Sequence, residues 1–137
     1  MTIETREFTV QSSGRDEIHN ITEQVAHIVR SSSVTSGIVT VFVAHSTAAV
    51  TTIEFEPGAV ADLSQTLRRL VPEDSGYKHN RIDDNAHSHL RAALIGPSIA
   101  IPFARGQVLL GTWQQIAFVD FDNRSRSRRI VVQMVGE

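Results

Sequence analysis

The stretch GIVTVFVA at residues 37–44 contains one polar side chain, Thr40, and is dominated by β-branched residues. Branched side chains lose χ1 freedom on a helix and pack well on a pleated surface, so this run reads as a strand. An almost unbroken apolar run, as opposed to strict alternation, suits a strand buried on both faces. A sheet is therefore the centre of the fold, and the other elements are read around it. Residues 1–10, with Ile3, Phe8 and Val10 among threonines and charges, read as a first strand. Ser12 or Ser13 then offers a helix cap, with Asp16 and Glu17 near the positive end of the dipole. Ile18, Ile21, Val25, Ile28 and Val29 recur at helical spacing as far as Arg30. Thr47 to Phe55 is a second β-rich run, separated by Pro57 and Gly58 from a helix over Ala59 to Leu70. A loop follows from Val71 to Asp84. Asn85 opens a helix over Ala86 to Ile95, which Gly96 and Pro97 stop. The last third reads as a β-meander: Ser98–Phe103, Gln107–Leu110, Trp113–Phe121, a polar Arg-rich turn, and Ile130–Val135. Strands come in runs with helices grouped between them, which predicts an α+β domain with a largely antiparallel sheet covered on one face by helices.

At 137 residues with 41% apolar side chains, the chain is long enough to bury a core without staples, and residues 1–137 read as one domain. There is no cysteine, so disulfides, thiol nucleophiles and Cys-ligated metals are excluded, leaving His, Asp and Glu as the strong metal ligands. A net charge of −2 gives no global field for nucleic acid or anionic membrane, and no apolar run reaches the roughly 18–20 residues of a membrane span. The expectation is a soluble cytoplasmic protein with neither nucleic-acid nor membrane partner. Within that balance two residue types stand out: Lys78 is the only lysine beside twelve arginines, and four of six histidines lie between His45 and His89.

Strand period places Val39, Val41, Val43 and His45 on one face, so His45 continues a core-facing row at its polar end, where a ligand or general base would sit on a rigid element. The plainer reading is a strand-end imidazole bonded to nearby backbone. On the helix from Asn85, Asn85 and His89 share a face, whereas His87 is turned away by about 200°. His89 is thus expected to point inward with Asn85, Ala92 and Ala93, and His87 to face water with Arg91. His79, in the preceding loop, is free to fold back. A strand end, a loop and a helix can together supply an open three-His metal site, with water or substrate in the remaining position. Surface and core-edge histidines are the alternative. Glu54, an acid in a β-rich run, is either solvent-facing or a carboxylate on a site wall. Gly111-Thr112-Trp113-Gln114-Gln115 holds the only Trp, which is either a core side chain beside a bulge or a stacking platform flanked by polar groups. Arg124, Arg126 and Arg128 alternate, lining one side of an extended segment with guanidinium forks suited to phosphate or carboxylate. Subunit salt bridges or a solvated turn would use them equally well.

Taken together, HSTAAVTTIEFEPG, YKHNRIDDNAHSHLRAALIGPS and IPFARGQVLLGTWQQIAFVDFDNRSRSRRIVVQMVGE resemble the YjbQ family, also named the secondary thiamine-phosphate synthase family. The resemblance implies a curled mixed sheet and a homotrimer with a polar pocket near the subunit interfaces. It covers His45-Ser46-Thr47, Glu54, Asp62, Tyr77, His79, Asn85, His89, Gly96 and Gly111-Thr112-Trp113-Gln114, and leaves His87 out. The C-terminal turn departs from the family's DGPR-like pattern, which leaves open whether Arg126 or Arg128 faces an anion. On this basis the expected sites are His45, His79 and His89 for a divalent ion such as Zn²⁺, or Mg²⁺ for a synthase. Glu54, His45 and Asn85 are expected for catalysis, and Thr112, Trp113, Gln114, Tyr77, Arg126 and Arg128 for a small phosphorylated or anionic substrate. The resemblance also implies a weak thiamine-phosphate synthase (transferase) activity. The alternative is a non-catalytic trimeric module that binds a metabolite or metal.

Overall fold

A computed structural model describes all residues, 1–137. The strands are β1 (Thr2–Ser12), β2 (Glu17–Asn20), β3 (Gly37–Val43), β4 (Ala48–Ile53), β5 (Ser98–Ala104), β6 (Gln107–Val108), β7 (Gln115–Asp120) and β8 (Arg126–Gly136). The helices are α1 (Thr22–Arg30), α2 (Pro57–Leu70) and α3 (Ala86–Ile95), with a 3-10 turn at Lys78–Arg81. One sheet has the order β1-β8-β3-β5-β6 and a second the order β2-β7-β4. Every strand pair is antiparallel. The class is α+β with a curled antiparallel sheet, as expected. No helix is long and apolar enough to cross a membrane.

The larger core lies between the two sheets and α1, where Val39, Val41 and Val43 of β3 meet Ile130, Val132 and Met134 of β8 and Ile116 and Phe118 of β7. The opposite face of the smaller sheet packs Ala49, Val119 and Phe121 against Leu67 of α2 and Ala92 of α3. It is therefore β7, not β3, that is buried on both faces. On β3 the other face stays open, with Ile38 53% and Phe42 41% exposed, which corrects the two-sided burial expected from its apolar run. Apolar composition marks a strand that has two apolar faces; it does not say that one chain covers both.

A second correction concerns residues 14–20. Gly14, Arg15 and Asp16 all adopt the left-handed conformation (φ 76°, 56° and 66°), where a helix cannot start. The Arg15 N–H bonds Asp122 O at 2.7 Å and the Asp16 N–H bonds Asp120 O at 2.8 Å, pinning this turn to the end of β7. A side chain at position 14 would collide with the backbone carbonyl of Asp122, so the close approach needs glycine. The chain then continues as β2 beside β7, with Glu17 opposite Asp120, and α1 starts only at Thr22. Ile18 packs on the α2/α3 side while Ile21 enters the larger core, so their helical spacing was fortuitous.

Helix α3 has the expected limits. Helix α2 starts at Pro57 because the Glu56 carboxylate accepts from the Gly58 and Ala59 N–H groups, both at 2.8 Å, and proline is compatible with the first helical position. The segment 113–114, expected in a strand, lies outside β7, and the Arg-rich stretch from Arg126 belongs to β8.

Candidate functional site

The core-facing row of β3 ends in His45, and β7 and β8 repeat the pattern. On β7, Ile116 and Phe118 are followed at period two by Asp120 and Asp122; on β8, Met134, Val132 and Ile130 are followed by Arg128 and Arg126. Because β7, β3 and β8 run together at this end of the core, their polar ends converge. Asp120 and Arg128 are 0% and 2% exposed, Arg128 Nε donates to Asp120 Oδ2 at 2.7 Å, and Nη2 donates to Oδ1 at 2.6 Å. Arg128 Nη2 also donates to Thr47 Oγ1 at 2.9 Å, joining β8 to the start of β4. Its Nη1 has no partner within the chain.

Above this pair a cavity of about 280 Å³ opens, with no hydrophobic residue in its lining. Asp122 is its central acceptor: Asn85 Nδ2 donates to Oδ1 at 3.3 Å and Arg126 Nε to Oδ2 at 2.8 Å. Burial raises the Asp122 carboxyl, but hydrogen bonds from the Asn123 N–H, Arg126 and Asn85 outweigh it and hold the group below the ordinary carboxylate value. Asn85 Oδ1 in turn meets His79 Nε2 at 3.2 Å. The His79 and His89 rings stand edge to face, 4.8 Å between centroids. His89 lines the cavity, and its ring nitrogens have no partner in the chain.

His45, also in the lining, accepts the Arg129 N–H through Nε2 at 2.8 Å. That bond places any proton of the neutral ring on Nδ1. Burial first, then the charge of Arg128, lowers the His45 pKa below its ordinary value and favours this neutral form.

The structure thus brings together His45, Asn85, His89, Arg126 and Arg128, with His79 behind Asn85. It places the other expected residues elsewhere. Tyr77 donates its hydroxyl to Pro72 O and closes the loop before the 3-10 turn. Glu54 is exposed beyond the far end of β4, and Trp113 is 71% exposed, so it is not a core side chain. Gln114 Oε1 accepts the Gly111 N–H at 2.8 Å, its Nε2 lies 3.4 Å from Thr52 Oγ1, and Thr112 is exposed beside it. Since Ile53 pairs with Gln115 and Ala48 with Asp120, this second group lies at the opposite end of the smaller sheet, about 17 Å away at roughly 3.3 Å per residue. No three His, Asp or Glu side chains of the chain form a metal-ligand set. The open three-histidine site expected from His45, His79 and His89 does not fit the residues as one chain arranges them, because His45 is turned to the β8 backbone and His79 to Asn85.

Sequence reasoning passed over Asp120 and Asp122, although their period-two placement after an apolar strand was a readable signal. It also placed His87 and Arg91 in water, and both are buried, at 3% and 4% exposure. The 200° rotation from Asn85 was sound; what it turns His87 toward is a second cavity against α2, not solvent. Of the other histidines, His27 is exposed, whereas His19 is half-buried with its ring beside Phe118.

The family described as UPF0047 protein YjbQ-like matches residues 6–137. The chain belongs to the YjbQ family. This YjbQ-family chain is 42% identical over 127 residues to a UPF0047 protein of Archaeoglobus fulgidus, covering 93% of this chain and 98% of that one. It is likewise 42% identical over 137 residues to a UPF0047 protein of Methanothermobacter thermautotrophicus, covering 100% and 95%. Its fold superposes on a YbjQ-like protein of unknown function from Sulfolobus solfataricus with a TM-score of 0.95, at 37% identity and 99% coverage of both chains. A hypothetical protein from Aeropyrum pernix gives a TM-score of 0.92, also at 37% identity, over 98% of this chain and 99% of that one.

Proposed function

We propose that this YjbQ-family protein is a cytoplasmic small-molecule enzyme that binds a phosphorylated or otherwise anionic substrate in the His45/His89 cavity and moves protons there through imidazole. The observation that carries the reading is the pairing of free donors with fixed supports. His89 and Arg128 Nη1 have no protein partner, while Asn85, Asp122 and Arg126 around them are held in one hydrogen-bonded chain. Asp120 and Asp122 balance Arg128 and Arg126, so an anion is recognised through donor geometry and not through bulk charge. A cavity of about 280 Å³ suits a ligand of a few carbons plus one phosphate.

The open β3 face supports self-association as a homotrimer, since Ile38 lies between Val135 and Pro102 in register and forms an exposed apolar row. A partner subunit would also be the source of the groups one chain leaves distant, Glu54, Trp113 and Gln114, and of the further donors a divalent ion would require. Thiamine-phosphate synthesis is the narrower form of this reading, with Arg126 and Arg128 Nη1 as the cations available to a pyrophosphate.

The test is calorimetric titration with glycerol 2-phosphate of the untagged protein and of His89→Ala and Arg126→Gln, with elemental analysis for zinc and magnesium. Each substitution is expected to weaken binding about tenfold. Equal affinity in both variants overturns the reading. Phosphorus NMR of the ligand after long incubation separates turnover from the alternative, a binding module that returns its ligand unchanged.

A further inference from the structure

The face of α3 opposite Asn85 and His89 closes a separate cavity of about 470 Å³, walled by the Gly14–Asp16 turn, the end of α2 and the residues after β7. Arg15, Arg68 and Arg91 bring three guanidinium groups to it against the carboxylates of Asp16 and Glu73, a surplus of one positive charge. Asp16, with its side chain 6% exposed, is the organiser. It accepts Arg91 Nη1 at 3.1 Å and Arg68 Nε at 2.8 Å. The Arg91 Nε–H is spent on Val71 O at 3.0 Å. This leaves both terminal nitrogens of Arg68, Nη2 of Arg91 and the whole guanidinium of Arg15 without partners in the chain. Arg15 and Asp16 both stand in the left-handed region, a conformation that non-glycine residues rarely adopt.

His87 lines the same cavity, and its Nδ1 is buried with no hydrogen-bond partner. Its protonation follows from its neighbour. The single hydroxyl proton of Ser88 is given to Phe121 O, so toward His87 Nε2, 3.4 Å away, the Ser88 oxygen can only accept. Nε2 therefore carries the ring proton and Nδ1 a lone pair. Burial first and Arg91 second keep the ring neutral by lowering its pKa, against smaller opposing effects of Glu73, Asp16 and the Asn123 side chain. A buried acceptor among guanidinium groups does not match a fully deprotonated oxyanion, whose oxygens would repel it. It matches an oxyanion that keeps one O–H, which can donate to Nδ1 while its charged oxygens take the arginines.

We propose that this cavity is a second binding site, selective for a phosphate-type oxyanion that retains a proton, whether inorganic phosphate or the phosphate of a monoester. The site is independent of the His45/His89 cavity, because the first turn of α3 lies between them.

The test uses two-dimensional amide and imidazole NMR of His89→Ala/Arg126→Gln, which disables the other cavity, titrated with inorganic phosphate, glycerol 2-phosphate and sulfate. Inorganic phosphate is expected to shift the signals of Arg15, His87 and Asn123, and sulfate, which has no proton at neutral pH, to bind at least tenfold more weakly. Arg15→Gln, a change at an exposed residue, is expected to weaken phosphate at least fivefold, and Arg68→Gln likewise. Response to glycerol 2-phosphate as well assigns the site to monoesters; response to inorganic phosphate alone assigns it to the free ion. Equal affinity for sulfate, or phosphate affinity unchanged by Arg15→Gln, overturns the proposal and leaves the reading of the first cavity untouched.

Discussion

The guanidinium of Arg128 and the carboxylate of Asp120 meet as a two-pronged pair, with Nε to Oδ2 at 2.7 Å and Nη2 to Oδ1 at 2.6 Å, where neither side chain reaches solvent appreciably. The pair lies where the inward rows of β7 and β8 leave the apolar core, so it both closes the core and forms the floor of the first cavity. A charge buried at that depth is tolerated only while its partner is present.

Asp120→Ala is accordingly expected to lower the unfolding free energy by about 3–5 kcal/mol, because it strands the Arg128 charge. Replacing both residues, as Asp120→Leu with Arg128→Met, is expected to cost less than the single change. Urea denaturation of the three proteins checks this, and a single-variant loss below about 1 kcal/mol would count against a load on this pair.

The two histidines with lowered pKa values set a pH dependence whose sign is fixed. His45 and His87 are held neutral in the fold, chiefly by burial. Below the unfolded value of about 6.5 the unfolded chain takes up protons that the folded one refuses, so stability rises with pH. Their contribution is complete above about pH 6.5 and is lost as pH falls from there through the lower folded values. Asp122, also lowered, adds a further loss only at more acidic pH, below about 3.9. Urea unfolding between pH 4.5 and 7.5 is expected to show the first slope, and His87→Leu to reduce it; an identical slope in that variant would falsify the assignment to His87.

The exposed row on β3 predicts assembly through that face. Ile38→Glu or Phe42→Glu is expected to shift the protein to a monomer in sedimentation velocity, with far-ultraviolet circular dichroism retained, since neither side chain enters the core. A protein that is monomeric before any substitution, or variants that sediment as the parent does, would refute self-association by this route.

Local pattern determined a good deal on its own. The β-branched run at 37–43, the Asn85-to-Gly96 limits of α3 and the paired β-runs of the last third were all readable, because each depends on neighbours in sequence. The alternation that carried His45 past Val43 to a polar strand end was sound for the same reason, and applied to IAFVDFD it would have found Asp120 and Asp122 too.

Tertiary structure decided what periodicity cannot express. Residues 18–20 fell within a helical spacing, yet the left-handed Gly14–Asp16 turn, fixed by backbone bonds to Asp120 and Asp122 more than 100 residues away, made them a strand. His87 was correctly rotated away from Asn85, but whether that direction meets water or a second wall depends on where α2 and the 14–16 turn lie. Which guanidinium nitrogens stay open was decided the same way: Arg128 commits Nε and Nη2 to Asp120 and keeps Nη1, while Arg126 commits Nε to Asp122 and keeps both outer nitrogens. Sequence periodicity fixes the direction of a side chain relative to its own element, and only long-range packing supplies what it meets there.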